Sequence, residues 1–331
     1  MTAWEIFHQG RYFARRNKKV WFLLWLMNGL MASIAAWPVF NALNSDLSHS
    51  LMAAPMMDRF SIDFAAEFLF KHQDSLPALV SVLTVVSVVY LILTLLTTGG
   101  TLAVFSSADR RFNAPLFFRG CSVYFWRFFR LFLVSLIFYG VLVAGLNAAL
   151  SGVVGKVTAG WTVEKYVRFT SWSRVLIVVF VFVLINMIFD YAKVRLVITE
   201  GRSAIMAALR SIKFVFKNFR KTLAVYIYCA LLLLILALIY NPLEQALPQY
   251  TRRWVVLVFL LGQIFILARV FVRLTFFSSE VLLYESLATP NAISTPVEPA
   301  TPPAADPTPP GERTSEEPSS PAAAPSLDIT R

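Results

Sequence analysis

Two ionisable residues stand at the ends of apolar runs, where a charge is expensive: Asp190 closes the uncharged stretch from Val175 to Phe189, and Arg269 closes Trp254 to Ala268. Each follows an outer arginine, Arg174 or Arg253, by the same number of residues. On spans that both run inward they therefore reach matching depth. Ionisable groups at membrane depth are rare, and they are usually paired or functional. Two arrangements are open: a candidate intramembrane ion pair between Asp190 and Arg269, or Arg269 and Arg273 reaching separately to lipid phosphate. Asn28, Asn147, Asn186 and Gln263 also fall in apolar runs, where they would line a pathway or join one helix to another.

Other chemistry is sparse. His49, Met52, Met56 and Met57 cluster in one loop, and imidazole with soft thioethers would suit Cu(I). Methionine is equally a filler at membrane surfaces, so no metal is assigned. His8 and His72 stand apart, and no H-E-x-x-H or C-x-x-C pattern exists to place a zinc. Cys121 and Cys229 read as buried or interfacial thiols, with no disulfide expected on a reducing side. No acid, base and nucleophile gather at one depth, so neither a cofactor nor an enzymatic activity is expected.

The elements that must position these residues are membrane helices. The chain has 331 residues, 57% of them hydrophobic and only 15% charged, with a formal net charge of +11. Soluble domains carry about 25% charged residues, so the composition excludes that class. A crossing helix needs about 20 mainly apolar residues. Six spans are expected, at residues 20–40, 78–104, 131–153, 174–196, 222–242 and 254–276, in an all-α polytopic bundle. The first apolar run exceeds a signal-peptide core of about 7 to 15 residues and is read as a span rather than a leader. Pro77 suits the first turn of the second span, and Pro242 marks the outer end of the fifth.

Charge orients the spans. Basic segments are the amino terminus, the stretch with Arg110, Arg111, Arg119, Arg127 and Arg130, and the stretch with Lys193, Arg195, Arg202, Arg210, Lys213, Lys217, Arg220 and Lys221. They alternate with residues 41–76, where Asp46, Asp58, Asp63, Glu67 and Asp74 outnumber Arg59 and Lys71. The positive-inside rule then puts both termini in the cytoplasm and the chain in a bacterial inner membrane. The membrane domain is expected over 1–287. Residues 288–331 hold most of the 17 prolines and no aromatic residue, the composition of a disordered, acidic cytoplasmic tail. Pro296, Pro299 and Pro302 in that tail offer overlapping P-x-x-P spacings to a soluble protein partner.

Aligning Arg111 with Arg202 also pairs Arg119 with Arg210, Phe125 with Phe216, Phe128 with Phe219 and Arg130 with Lys221. In the second copy Ile205, Leu209, Ile212, Phe216 and Phe219 take one helical face and Arg210, Lys213 and Lys217 another. The amino terminus is a weaker third copy, with Trp4, Phe7, Phe13 and a Thr2-x-x-Glu5 capping box. The chain thus reads as three hairpins, each preceded by a basic interfacial amphipathic helix. Arg111, Arg119, Arg202, Arg210, Lys213 and Lys217 are the candidate lipid-headgroup contacts. Because they interleave with spans, anionic lipid is the expected partner and nucleic acid is not.

Gly99 and Gly100 are candidates for close helix packing at the inner end of the second span. That pair, the Arg- and Phe-rich loop after it, and Asp190-Tyr191-Ala192-Lys193-Val194-Arg195 resemble uncharacterised bacterial multi-pass families. Those families are similar to the membrane domain that accompanies some glycerophosphoryl diester phosphodiesterases, whose catalytic barrel has no counterpart here. The resemblance implies a lipid-facing membrane module. Together these features suggest a lipid-associated scaffold or accessory subunit, with a transporter or channel for a lipid-like or small amphipathic substrate as the alternative.

Overall fold

The computed structural model describes residues 1–47, 66, 70–71, 73–158, 164–201, 203–247 and 252–288. Among them the regular structure is all helical: α1 (Ala3–Arg16), α2 (Lys18–Leu47), α3 (Leu76–Ser106), α4 (Ala114–Phe138), a π-helical segment (Tyr139–Ala144), α5 (Gly145–Thr158), α6 (Glu164–Ile198), α7 (Ala204–Lys217), α8 (Phe219–Ala246) and α9 (Arg252–Ala288). Six stretches are long and apolar enough to cross a membrane: Lys18–Ser45, Leu76–Ser106, Ala114–Lys156, Arg168–Ile198, Phe219–Ala246 and Arg253–Ala288. They overlap the six expected spans, and the protein is a multi-pass helical membrane protein. The described residues belong to one compact unit. The His49, Met52, Met56 and Met57 cluster, Arg202 and the Pro-rich tail lie outside the described residues.

Local sequence accounts for the boundaries. Thr2 and Glu5 form a reciprocal capping box at the start of α1, satisfying two backbone donors that a helix end leaves free. Ser203 caps α7 by accepting from the Met206 amide at 3.3 Å. Pro77 sits in the first turn of α3, where its missing amide hydrogen costs nothing. Pro242 does not end its span; α8 continues through it to Ala246.

The link between α1 and α2 is a single residue, Asn17, and the link between α7 and α8 is Asn218. Each asparagine turns its Nδ2 back onto a phenylalanine carbonyl four residues earlier, Phe13 O at 2.9 Å and Phe214 O at 3.1 Å. That side-chain bond competes with the helical ladder and breaks it once. In the middle unit no asparagine stands at the corresponding place, and the basic segment runs unbroken from Ala114 into its span. There the interfacial helix and the membrane helix are one rod.

The core occupies one end of the bundle. In α3 the buried residues are confined to Leu95 through Phe105, and in α4 to Phe117 through Ser135. In α6 they run from Ile185 to Val197, in α8 from Thr222 to Cys229, and in α9 from Val270 to Tyr284. The most extensive helix pairings are α3 with α4, α9 with α1 and α6 with α7. In the first and third pairs a helix folds back on the end of the span that precedes it, and α1 closes the ring on the last helix.

The buried register of these three helices is shared. Phe7, Gly10 and Ala14 of α1, Phe117, Gly120 and Tyr124 of α4, and Ala208, Ser211 and Val215 of α7 all face inward. A small residue sits at the centre of each set because the backbones approach closely. A Cβ on Gly10 would lie 2.1 Å from Ser279 Oγ of α9. One on Gly120 would lie 2.5 Å from Ala103 Cβ, and one on Gly100 would lie 2.7 Å from Phe117 O. One on Gly99 would lie 3.0 Å from Gly120 O.

Candidate functional site

Just above the packed end, polar side chains from all six spans turn toward one another. On α6, Asp190 is buried and both of its carboxylate oxygens are taken. Lys193 Nζ donates to Oδ1 at 2.7 Å from the next turn of the same helix, and Tyr226 Oη of α8 donates to Oδ2 at 2.5 Å. Tyr226 is fixed by an edge contact with Phe276 of α9, at 4.6 Å between ring centres. Tyr139, the first residue of the π-helical segment, lies within electrostatic range of Asp190 and donates to Asn186 Oδ1 at 3.1 Å. π-helical segments inside α-helices frequently mark functional sites.

From α9, Arg273 is half-buried, with its guanidinium 5.5 Å from the Phe277 ring centre and close to Tyr90 of α3 as well as to Asp190. Tyr90 in turn donates to Asn28 Oδ1 of α2 at 3.0 Å. Gln263 accepts from Trp25 Nε1 at 3.2 Å, and Trp21 Nε1 donates to the Leu267 carbonyl at 2.6 Å, so α2 and α9 are laced along their shared seam. Asn28, Asn186 and Gln263 are thus each bonded between helices, while Asn147 makes no side-chain bond to the described residues.

The structure does not bring Asp190 and Arg269 together as an ion pair. Asp190 is satisfied by Lys193 and Tyr226, and Arg269 is exposed, with no ion pair to any described residue. The cation near Asp190 on α9 is Arg273, one turn further inward. Equal counting from Arg174 and Arg253 gives similar height, but says nothing of how each helix is rotated.

One acid was absent from the sequence reading. Glu280 of α9 is only 1% exposed, its Oε1 has no hydrogen-bond partner among the described residues, and it lies in the fields of Asp190 and Lys193. Tyr191 is fully buried beside it with its hydroxyl unpartnered. The available signal was a single acid between Phe276-Phe277-Ser278-Ser279 and Val281-Leu282-Leu283. Placing the end of the last span at residue 276 hid it.

Below this cluster the helices are latched together. Arg110, at φ 46°, pairs with Glu285 of α9, stacks over the Phe13 ring at 5.0 Å, and offers its carbonyl to Asn17 Nδ2 at 2.9 Å. Glu200, at φ 49°, makes the corresponding left-handed turn before α7. Arg195 donates to Tyr284 Oη at 3.2 Å, and Tyr124 Oη to Val197 O at 3.4 Å.

Of the other basic residues read from the sequence, Arg111, Arg119, Arg210, Lys213 and Lys217 are all exposed. On α7 the buried face is made of Ala204, Ala207, Ala208, Ser211 and Val215, while Ile205, Leu209 and Phe216 are exposed beside the cations. This helix therefore has three faces: small residues toward the protein, large apolar ones outward, and positive charge between. Among the described residues no group of His, Cys, Asp and Glu is placed to hold a metal ion. No family model matches the chain, and no curated protein or solved structure matches it either.

Proposed function

We propose that this protein is a non-enzymatic, lipid-associated scaffold or accessory subunit of a bacterial inner membrane, with its packed, basic end and both termini on the cytoplasmic side. The observation that carries this reading is the three-faced build of α7. A helix that only packed against protein would have no use for Ile205, Leu209 and Phe216 in the open, and one that only faced water would not expose them. Apolar side chains next to Arg210, Lys213 and Lys217 suit the boundary between acyl chains and anionic headgroups, where each cation contributes about 1 kcal/mol. Replacing the three cations by Gln should weaken binding to anionic vesicles and flatten its salt dependence. Undiminished binding would refute the reading.

The shared register of α1, α4 and α7 supports a threefold internal repeat, each unit being an inner helix, a span outward and a span back. The resemblance to membrane domains that accompany phosphodiesterases points to the same lipid-facing role, and the Pro-rich tail would recruit the soluble partner. A second reading, a transporter for a lipid-like or small amphipathic substrate, is favoured by the convergence of Asn28, Tyr90, Tyr139, Asp190, Tyr226 and Arg273 from six different spans, one of them interrupted by a π-helical segment. Uptake of a fluorescent lipid into proteoliposomes, present with the wild-type chain and lost in Asp190→Asn, would favour this second reading over the first.

A further inference from the structure

Arg269 is a cation that the fold leaves uncompensated. It is exposed and unpaired among the described residues, and it sits one turn from Arg273 on the same side of α9. That side is not the outer surface of the bundle. The same stripe carries Gly262 and Phe265, which lie against Tyr240 of α8, with 4.2 Å between the Phe265 and Tyr240 ring centres. Further inward it carries Phe276, which lies against Tyr226. Between those two contacts the stripe holds Ile266 and the two arginines, and Arg273 is steadied by Phe277 and Tyr90.

Height on the helix says what could meet them. Arg253 and Arg273 are separated by about 30 Å at a rise of about 1.5 Å per residue, which is the thickness of the hydrocarbon layer. Trp21, bonded to the Leu267 carbonyl, lies about 3 Å along the helix from Arg269 at a rise of about 1.5 Å per residue, and amphipathic rings gather toward the boundary of a bilayer. Arg273 lies in the field of Asp190, but both oxygens of that acid are held by Lys193 and Tyr226, so it pairs directly with neither arginine. Glu280 lies two turns deeper in the packed end, in the fields of Asp190 and Lys193. Positive charge is thus in excess at headgroup depth.

Resting on the lipid-associated reading above, we infer that Arg269 and Arg273, the latter steadied by Tyr90, form a specific site for the phosphate of an anionic phospholipid. The acyl chains lie along the open outer half of α9, where Val255, Phe259 and Ile266 are exposed on the face that carries the arginines. Two guanidinium groups one turn apart present planar forks of donors to a phosphate diester, the geometry that favours Arg over Lys for phosphate. The surface cations of α7 contribute diffuse attraction instead. The two classes of contact therefore differ in what removes them.

The test is native mass spectrometry of the full chain in detergent with phosphatidylglycerol, phosphatidylcholine or inorganic phosphate added singly. The wild-type chain should retain one phosphatidylglycerol at high collision energy and no phosphatidylcholine. Arg269→Gln, an exposed position with no bond for folding to lose, should weaken that retention at least tenfold, and Arg269→Lys should restore only part of it. Arg210→Gln/Lys213→Gln/Lys217→Gln should lower vesicle binding while leaving the retained lipid in place. Loss of the retained lipid in the α7 triple variant, with Arg269→Gln unaffected, would overturn the site but leave the general lipid reading standing. Retention of inorganic phosphate in place of lipid, abolished by Arg269→Gln, would assign the arginines to a free phosphate and overturn the phospholipid form.

Discussion

Helix α9 passes through two environments. From Val255 to Ile266 it is apolar and largely exposed, and from Val270 to Tyr284 apolar residues interleave with Arg273, Thr275, Ser278, Ser279 and Glu280 and the helix is largely buried. α3, α6 and α8 show the same division, always with the packed half at the basic end. What separates the halves is the size of the residues where helices meet rather than their hydrophobicity. The packed end is built on Gly10, Gly99, Gly100, Gly120, Ser211 and Ser279, which let backbones approach, and on polar bonds that fix rotation. The outer halves present Leu, Ile, Val and Phe, which acyl chains solvate as well as another helix would. In a membrane an apolar surface is no instruction to pack, whereas a stripe of small residues is.

If packing rather than hydrophobicity divides the molecule, matched deletions of the same residue type should differ most. Phe128 is 1% exposed and Phe180 is 53% exposed. Phe128→Ala should lower stability by about 3–5 kcal/mol, and Phe180→Ala by about 0.5 kcal/mol or less, measured by reversible unfolding in mixed micelles. Equal losses would erase the distinction.

The polar hub at the junction of the two regions offers the next largest effect. Asp190→Asn should cost about 1.5–3 kcal/mol, because the part-buried Lys193 and the Tyr226 hydroxyl both lose a charged partner. In a double-mutant cycle, Lys193→Met should recover much of that loss, while Arg269→Gln should add to it within about 0.5 kcal/mol. Strong coupling of Asp190 to Arg269 instead would mean that the two helices rotate in the bilayer to bring them together.

Glycine substitutions sharpen the comparison at smaller scale. Gly120→Ala sets a methyl group against Ala103 and should destabilise by about 1–3 kcal/mol. Gly145, in the outer half, has nothing within 4 Å of an added Cβ. There Gly145→Ala should stabilise by up to about 1 kcal/mol, the helix-propensity gain alone. Like signs for the two would place the helix contacts elsewhere.

The smallest effect distinguishes the two asparagine links. Asn17 Nδ2 reaches both Phe13 O and Arg110 O, whereas among the described residues Asn218 Nδ2 reaches only Phe214 O. Asn17→Ala should therefore cost about 1 kcal/mol more than Asn218→Ala, one net hydrogen bond, read as a difference in melting temperature.

The sequence by itself determined the six spans, the basic and acidic alternation of their ends, and the amphipathic nature of α1 and α7, down to the Thr2 and Glu5 cap. These follow from length, composition and periodicity, which are properties of a segment taken alone. It also marked Asp190 as a residue needing a partner, since an acid after a long apolar run is conspicuous wherever the helix points. Only the tertiary structure decided that the partners are Lys193 and Tyr226, that Glu280 joins them from a position counted outside its span, and that Arg269 is left without one. It also decided that Gly99 and Gly100 meet Gly120, and that the middle inner helix runs straight into its span. The reason is rotational: hydropathy fixes where along its axis a helix enters the bilayer, but the angle about that axis is set by contacts with other helices. In spans whose hydrophobic pattern is nearly uniform around the helix, no face announces itself before those contacts form.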